Sequence, residues 1–290
     1  MTAALRIAVS AWEVGRVDGV PGFARRLDAA VAEARADGAE LLLLPEYAAM
    51  EAAAQPVPDV AAELATACDQ ARDLLDAMRE AARRHGAWLA PGTLPMRLGA
   101  AIHNRAPLIA PDGRVAFQDK RLMTRFEAEQ WGVVGGEWPG VFETPWGRIG
   151  LAVCFDAEFP TLVRAQVEAG AWLVLVPACT DTAHGAERVR LSARARAMEN
   201  QCFTALAPTV GEAPWLGTLD VNTGRAGVYG PVDRGFAGDG VVAEGAGETP
   251  GWLYADLDPA RLARVREDGA VRNERSWPSA VPPARPLSFA

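Results

Sequence analysis

The chain has 290 residues, 50% of them apolar, with 37 acidic against 29 basic side chains and a formal charge of −8. That length and apolar share allow a large buried core, and the charge is spread without the basic run that tracks phosphates, which argues against nucleic acid and anionic membranes as partners. No apolar run approaches the roughly 20 residues needed to cross a bilayer.

Strand and helix patterns alternate from the N-terminus. Met1–Ser10 enters strand-like alternation at once and lacks a charged region, a long apolar region and a cleavage site. A strand is expected over Leu5–Ala11, then a helix over Phe23–Ala36 that stops at Asp37-Gly38. Glu40–Leu44 is a fully apolar buried strand running into Pro45-Glu46-Tyr47. A long helix is expected over Val60–His85, closed by Gly86. Short strands at Trp88–Gly92 and His103–Ala110 precede the turn Pro111-Asp112-Gly113, which folds Val115–Asp119 back as a hairpin. Ile149, Leu151 and Val153, spaced by two, predict a buried strand ending at Cys154, with a helix starting near Pro160 and covering Leu162–Ala169. Strand, helix and strand are expected at Trp172–Pro177, Ala186–Asn200 and Cys202–Pro208. The chain is Gly-rich from Gly211 to Gly251, with strand-like pieces at Gly227–Tyr229 and Val241–Glu244. A last strand (Trp252–Asp256) and helix (Pro259–Glu267) follow. No repeat or long linker appears, so one α/β domain is expected over residues 1–276, with a Pro-rich tail at 277–290.

The four cysteines (Cys68, Cys154, Cys179, Cys202) form no C-x-x-C pair and are too sparse for a disulfide framework, which implies a reduced, cytoplasmic setting. Cys154 stands at the tip of a buried strand, followed by Asp156 and Glu158, where open α/β sheets place ligand crevices; that makes it a candidate nucleophile. Histidine is the usual partner of such a thiol. His85 reads as a helix C-terminal cap, and His103 and His184 lie in polar loops, so none is favoured, and a His-rich metal site is not expected. Glu46 is better placed, because an ionisable group directly after Leu41–Leu44 is costly unless paired or functional. Lys120 follows the hairpin strand. All three residues lie at or just past strand ends, which is how a parallel-type sheet gathers distant side chains into one crevice.

In these segments the chain resembles the nitrilase, or carbon–nitrogen hydrolase, superfamily. The matching segments are Leu-Leu-Leu-Leu-Pro-Glu46-Tyr, Asp-Lys120-Arg-Leu-Met-Thr and Gly-Arg-Ile-Gly-Leu-Ala-Val-Cys154-Phe-Asp. Further likeness runs through Gly170–Pro177, Arg194–Gln201 and Gly227–Pro231. The resemblance implies a four-layer α-β-β-α sandwich, a homodimer or higher homo-oligomer, and no metal or organic cofactor. It implies that Glu46 acts as base, Cys154 forms a thioester, and Lys120 with the Phe155 N–H steadies the oxyanion. The thiol is expected to be acidified by the nearby ammonium, and the carboxylate to be held charged by it.

Many members of the superfamily add a second glutamate. Counting back from Gly135-Gly136-Glu137 favours Glu129, while the wording Thr-Arg-Phe-Glu keeps Glu127 as the alternative. Substrate contacts are expected from Tyr47, Trp131, Asp156 and Glu158. Trp138 and Trp215 could also line the pocket but read as packing anchors, and Cys179 could approach the site. Phe155-Asp156 departs from the Trp-Glu of nitrile-cleaving members and is closer to amidases, carbamoylases and acyltransferases. The expected reaction is therefore hydrolysis of a small amide, releasing ammonia or an amine. An N-carbamoyl hydrolase, with Arg125, Arg188 or Arg225 binding a carboxylate, is the alternative, ahead of a soluble acyltransferase or a non-catalytic binding protein.

Overall fold

The first strand, β1 (Leu5–Glu13), establishes the layering in the computed structural model, which describes residues 4–278 and 280. Leu5, Ile7, Val9 and Ala11 face one apolar cluster while Ala8 and Trp12 face another, the period of two that a strand buried on both sides requires. Next come α1 (Gly19–Ala36), β2 (Leu41–Leu43), α2 (Val60–His85) and β3 (Trp88–Ala90). The chain continues through β4 (Leu94–Leu98), β5 (Ala101–Ile109), β6 (Val115–Asp119), α3 (Arg125–Glu129) and β7 (Phe142–Thr144). Then follow β8 (Gly147–Leu151), α4 (Pro160–Glu168), β9 (Leu173–Ala178), α5 (Ala183–Asn200) and β10 (Phe203–Glu212). Four further strands, β11 (Val221–Asn222), β12 (Gly227–Tyr229), β13 (Val241–Glu244) and β14 (Gly251–Leu257), precede α6 (Pro259–Asp268) and the short α7 (Asn273–Ser276).

β1, β2 and β3 pair in parallel, as do β8, β9 and β10. The two sets join at a corner where Trp12 and Glu13 of β1 run parallel to Thr209 and Val210 of β10. Inner faces meet through Leu41 and Leu43 from one set and Ile149, Leu173 and Leu175 from the other. On the outer side of the first set, Leu42, Leu44 and Leu89 pack on Phe23, Leu27 and Val31 of α1 and on Leu74 and Met78 of α2. Val163 of α4 and Val189 and Ala193 of α5 cover the other set. The result is an α-β-β-α sandwich. The all-apolar run Leu41–Leu44 needs no alternation because both of its faces are dry.

Strand direction places the chemistry. β5 is antiparallel to β3, and β6 is antiparallel to β5, so β6 points the same way as the parallel strands. The chain just after β2, β6, β8 and β9 therefore emerges at one end of the sandwich, carrying Glu46, Lys120, Cys154 and Cys179 respectively.

Boundaries differ from the pattern reading where backbone geometry intervenes. α2 ends at His85 as expected, with Gly86 at φ 59° donating to the carbonyls of Ala82 and Arg83. The strand expected to run to Cys154 stops at Leu151, and Cys154 opens a 3-10 turn (Cys154–Glu158) at φ 46°. β4 carries Pro95 and Arg97 and shows no apolar alternation, so its pairing with β5 was not predicted. The expected Pro-rich tail lies outside the described residues apart from 277, 278 and 280.

Gly92, in the β3–β4 loop, has φ +87°, and a Cβ there would clash with the carbonyl oxygen of Pro45. Only glycine lets this loop press on the backbone that presents Glu46. Gly92→Ala should cost about 3 kcal/mol or more from backbone strain plus a main-chain clash. Urea unfolding of the two proteins would check this; a loss under about 1 kcal/mol would mean the loop relaxes freely.

Candidate active site

Lys120 is the hub. Its backbone N–H donates to Asn104 O at 2.9 Å, and its carbonyl accepts from Gly136 N at 2.9 Å. This fixes the residue just past β6, where its side chain is 1% exposed. The ammonium reaches Glu46 Oε1 at 2.8 Å and Glu127 Oε2 at 2.7 Å. Asn104 Nδ2 donates to the same two carboxylates, at 2.8 Å to Glu46 Oε1 and 3.2 Å to Glu127 Oε1. Glu46 Oε2 takes the Cys179 N–H at 3.1 Å, and the Cys154 thiol lies 3.6 Å from the Cys179 carbonyl oxygen. The peptide after β9 thus links the nucleophile candidate to the carboxylate.

Glu127, not Glu129, is the second carboxylate of this cluster. Thr124 caps α3 in a capping box, in which the Glu127 side chain turns back toward the start of its own helix. Its Oε2 accepts from Thr124 N and Oγ1 at 2.9 Å each, and its Oε1 accepts from Tyr47 OH at 2.8 Å. Glu129, two residues on, points outward and pairs with exposed Arg125 at 2.9 Å. The expectation for Glu129 is overturned by helix geometry. The Thr-x-x-Glu spacing was the sequence signal that could have shown it. Asn104 was missed as well: flanked by His103 and Arg105 it reads as part of a polar stretch, yet it is fully buried, and the sequence carries no signal for that.

The electrostatics also depart from expectation. Burial pushes the Glu46 carboxyl up to about 7, outweighing the Lys120 charge that pulls it down. Burial acts on Glu127 in the same sense, but Lys120 and its hydrogen bonds win and hold it below the usual carboxylate range. Burial would lower the Lys120 ammonium; Glu46 and Glu127 together raise it well above its ordinary value. The Cys154 thiol is raised by burial and by Glu46, more than Lys120 lowers it. The balance favours the thiol form, whereas the sequence reading expected an ammonium-stabilised thiolate.

A cavity of about 490 Å³ opens over this cluster. Glu46, Lys120, Glu127 and Cys154 line it, as do Tyr47, Trp131, Phe155 and Glu158. Tyr47 and Phe126 pack edge-on against Trp131, with centroids 5.1 and 5.2 Å away, forming an aromatic wall. Asp156 does not line the cavity. Its carboxylate accepts the N–H groups of Arg121 and Leu122 at 2.8 Å each, tying the turn after Cys154 to the segment after Lys120. Asp156 was expected to touch substrate; it acts instead as a tie between two strand ends. Burial raises it to about 6 against those two hydrogen bonds. Trp138 is 68% exposed beneath Arg121, and Trp215 stacks under Arg16; neither borders the cavity. Arg125 and Arg188 border it, whereas Arg225 is turned to Glu244 at 3.3 Å.

A sequence profile of the carbon-nitrogen hydrolase family matches residues 18–267. The chain belongs to the carbon–nitrogen hydrolase family. It is 30% identical over 271 residues to the probable hydrolase YhcX of Bacillus subtilis, covering 92% of this chain and 52% of that protein, so the chain spans about half the length of that relative. The omega-amidase NIT2 of Homo sapiens is 25% identical over 266 residues, covering 88% of this chain and 90% of the other. Among solved structures, an amidase from Nesterenkonia sp. superposes with a TM-score of 0.74 at 29% identity, over 91% of this chain and 94% of that one. A variant of that amidase carries the acetamide moiety of fluoroacetamide bonded to its active-site cysteine. Among the described residues of the present chain, no helix is long and apolar enough to cross a membrane.

Proposed function

We propose that this carbon–nitrogen hydrolase cleaves the C–N bond of small linear amides through a thioester on Cys154. The observation that carries the reading is the buried ammonium of Lys120, held between Glu46 at 2.8 Å and Glu127 at 2.7 Å on the floor of the cavity that contains Cys154. Glu46 takes the thiol proton as sulfur attacks the carbonyl carbon. The Lys120 ammonium and the Phe155 N–H receive the developing oxyanion. Glu46 returns the proton to the leaving nitrogen, ammonia departs, and the same carboxylate then activates water to hydrolyse the thioester. Glu127 holds Lys120 charged and in place through both steps. The amidase likenesses, and the nucleophilic active-site cysteine that bonds the acetamide moiety of fluoroacetamide in the Nesterenkonia variant, support this reading over nitrile cleavage.

Ammonia release from a panel of aliphatic amides, N-carbamoyl amino acids and nitriles tests it; activity on nitriles alone would overturn it. The pH profile gives a second test. Glu46 must be ionised to take the thiol proton, so kcat/KM should rise as pH passes through about 7 and then level off, because Lys120 stays protonated. A profile flat between pH 5 and 9, on the order of four pH units across that value, would remove Glu46 as the base.

A further inference from the structure

Charge around the mouth of the cavity is uneven in a way the hydrolytic step does not use. Arg188 Nε lies 3.4 Å from Glu158 Oε1, and Arg125 makes two hydrogen bonds to Glu129 at 2.9 and 3.1 Å. Both guanidinium groups that border the cavity are thus already matched to carboxylates. The positive end of α5 is likewise taken: Thr182 Oγ1 caps it through Gly185 N at 3.1 Å, and Asp181 stands immediately before it.

Carboxylates remain uncommitted. Asp181 and Asp220 both border the cavity and are exposed, and neither has an ion-pair partner among the described residues. Asp220 accepts only the N–H of Val221, at 3.0 Å. Two residues before it, Thr218 borders the same cavity at 9% exposure. The Thr218 N–H is fixed to Glu63 Oε2 at 2.8 Å, while its hydroxyl oxygen has no hydrogen-bond partner. Among the described residues, a substrate carboxylate entering here would meet no free cation and two free anions. A primary ammonium, with three N–H donors, would meet two carboxylates and an unused hydroxyl acceptor.

We propose that the preferred substrates are linear amides whose far end is a protonated amine: the carboxamide at Cys154, the ammonium between Asp181 and Asp220 with Thr218 Oγ1 as a further acceptor. The inference rests on the amide-hydrolase reading above and names its substrate class. Both readings separate in one experiment, which compares ω-amino alkanamides, neutral alkanamides and ω-carboxy alkanamides of matched length by ammonia release. Expected kcat/KM is about tenfold higher for the cationic member than the neutral one, and lower still for the anionic member, the scale of one or two partly screened charge contacts. The preference should shrink as salt is raised from 20 to 500 mM, on the order of a threefold or greater drop in screening length. In the Asp181→Asn/Asp220→Asn double variant, the cationic-to-neutral ratio should fall toward one. Turnover of neutral amides with no cationic preference, or with a preference for the carboxylate, would overturn the inference and leave the amidase reading standing. A preference that survives the double variant would overturn the assignment to these two aspartates. Release from none of the three classes would sink both.

Discussion

Cys154→Ala should lower amide turnover by about four to six orders of magnitude, the loss seen when a covalent nucleophile is removed from a site that otherwise stays intact. The structural cost should be small. The side chain is 3% exposed, and its loss removes one sulfur atom bordering a cavity already open above it. The φ of 46° at this position is adopted by cysteine already, and alanine has no larger steric demand there. Cys154→Ser should be nearly as inactive, because Glu46 at about 7 is far too weak a base for an alcohol, whereas it can accept a proton from a raised thiol as the sulfur bonds to carbon. Glu46→Gln removes the base of both half-reactions, so acylation should be lost along with deacylation. Acid quench of the parent enzyme during amide turnover, followed by peptide mass mapping, should show substrate mass less ammonia on the Cys154 peptide. Cys179 is the rival sulfur. It borders the same cavity, with its thiol pushed up to about 12, chiefly by burial and then by Glu46. Should Cys154→Ala keep more than about a tenth of the parent rate, or the adduct map to Cys179, the nucleophile would be misassigned.

Where the sequence pattern is produced by a single dominant force, it reads through to the structure. Leu5, Ile7 and Val9 alternate because one strand separates two dry layers, and Leu41–Leu44 does not alternate because the same dryness holds on both of its faces. Gly86 ended α2 where it should, since only a residue at ease with φ 59° could take the two orphan carbonyls. The strand-end logic that linked Glu46, Lys120 and Cys154 survives, because it depends only on strand direction. Failures came where short-range polar geometry competes with pattern. α3 is a five-residue helix with no apolar stripe, so periodicity could not see it, and with it went the choice between Glu127 and Glu129. Asp156 stands next to the nucleophile in sequence, yet two backbone N–H groups 35 and 34 residues away turn it from the cavity. The sign of the Cys154 shift was likewise hidden: it is set by how completely the site is dry, and only packing reveals that.

The two glutamates of α3 offer the sharpest contrast between chain position and side-chain direction. Glu127→Gln should reduce kcat by about two to three orders of magnitude, the range for losing one preorganised electrostatic partner at the reacting centre. Gln can keep one oxygen as acceptor, but its amide nitrogen must then face a donor: Lys120 Nζ and Thr124 on one side, Tyr47 OH and Asn104 Nδ2 on the other. Either orientation opposes the amide to at least one donor that cannot accept, Lys120 Nζ and Thr124 N on one side or Asn104 Nδ2 on the other. Glu129→Gln touches only an exposed ion pair with Arg125 and should leave kcat within about twofold. A purely structural loss in Glu127→Gln would lower activity without moving the pH profile, so the profile decides between the two. In the parent, the Glu127 charge raises the Glu46 carboxyl and competes with it for Lys120. Removing that charge lowers the Glu46 proton affinity, so the acid limb of kcat/KM should move to lower pH even as the plateau drops. A limb that stays in place, or moves upward, would show that Glu127 does not act on the reaction through Lys120 and Glu46. Loss of activity in Glu129→Gln, with Glu127→Gln unaffected, would return the second carboxylate to the position that counting along the chain had favoured.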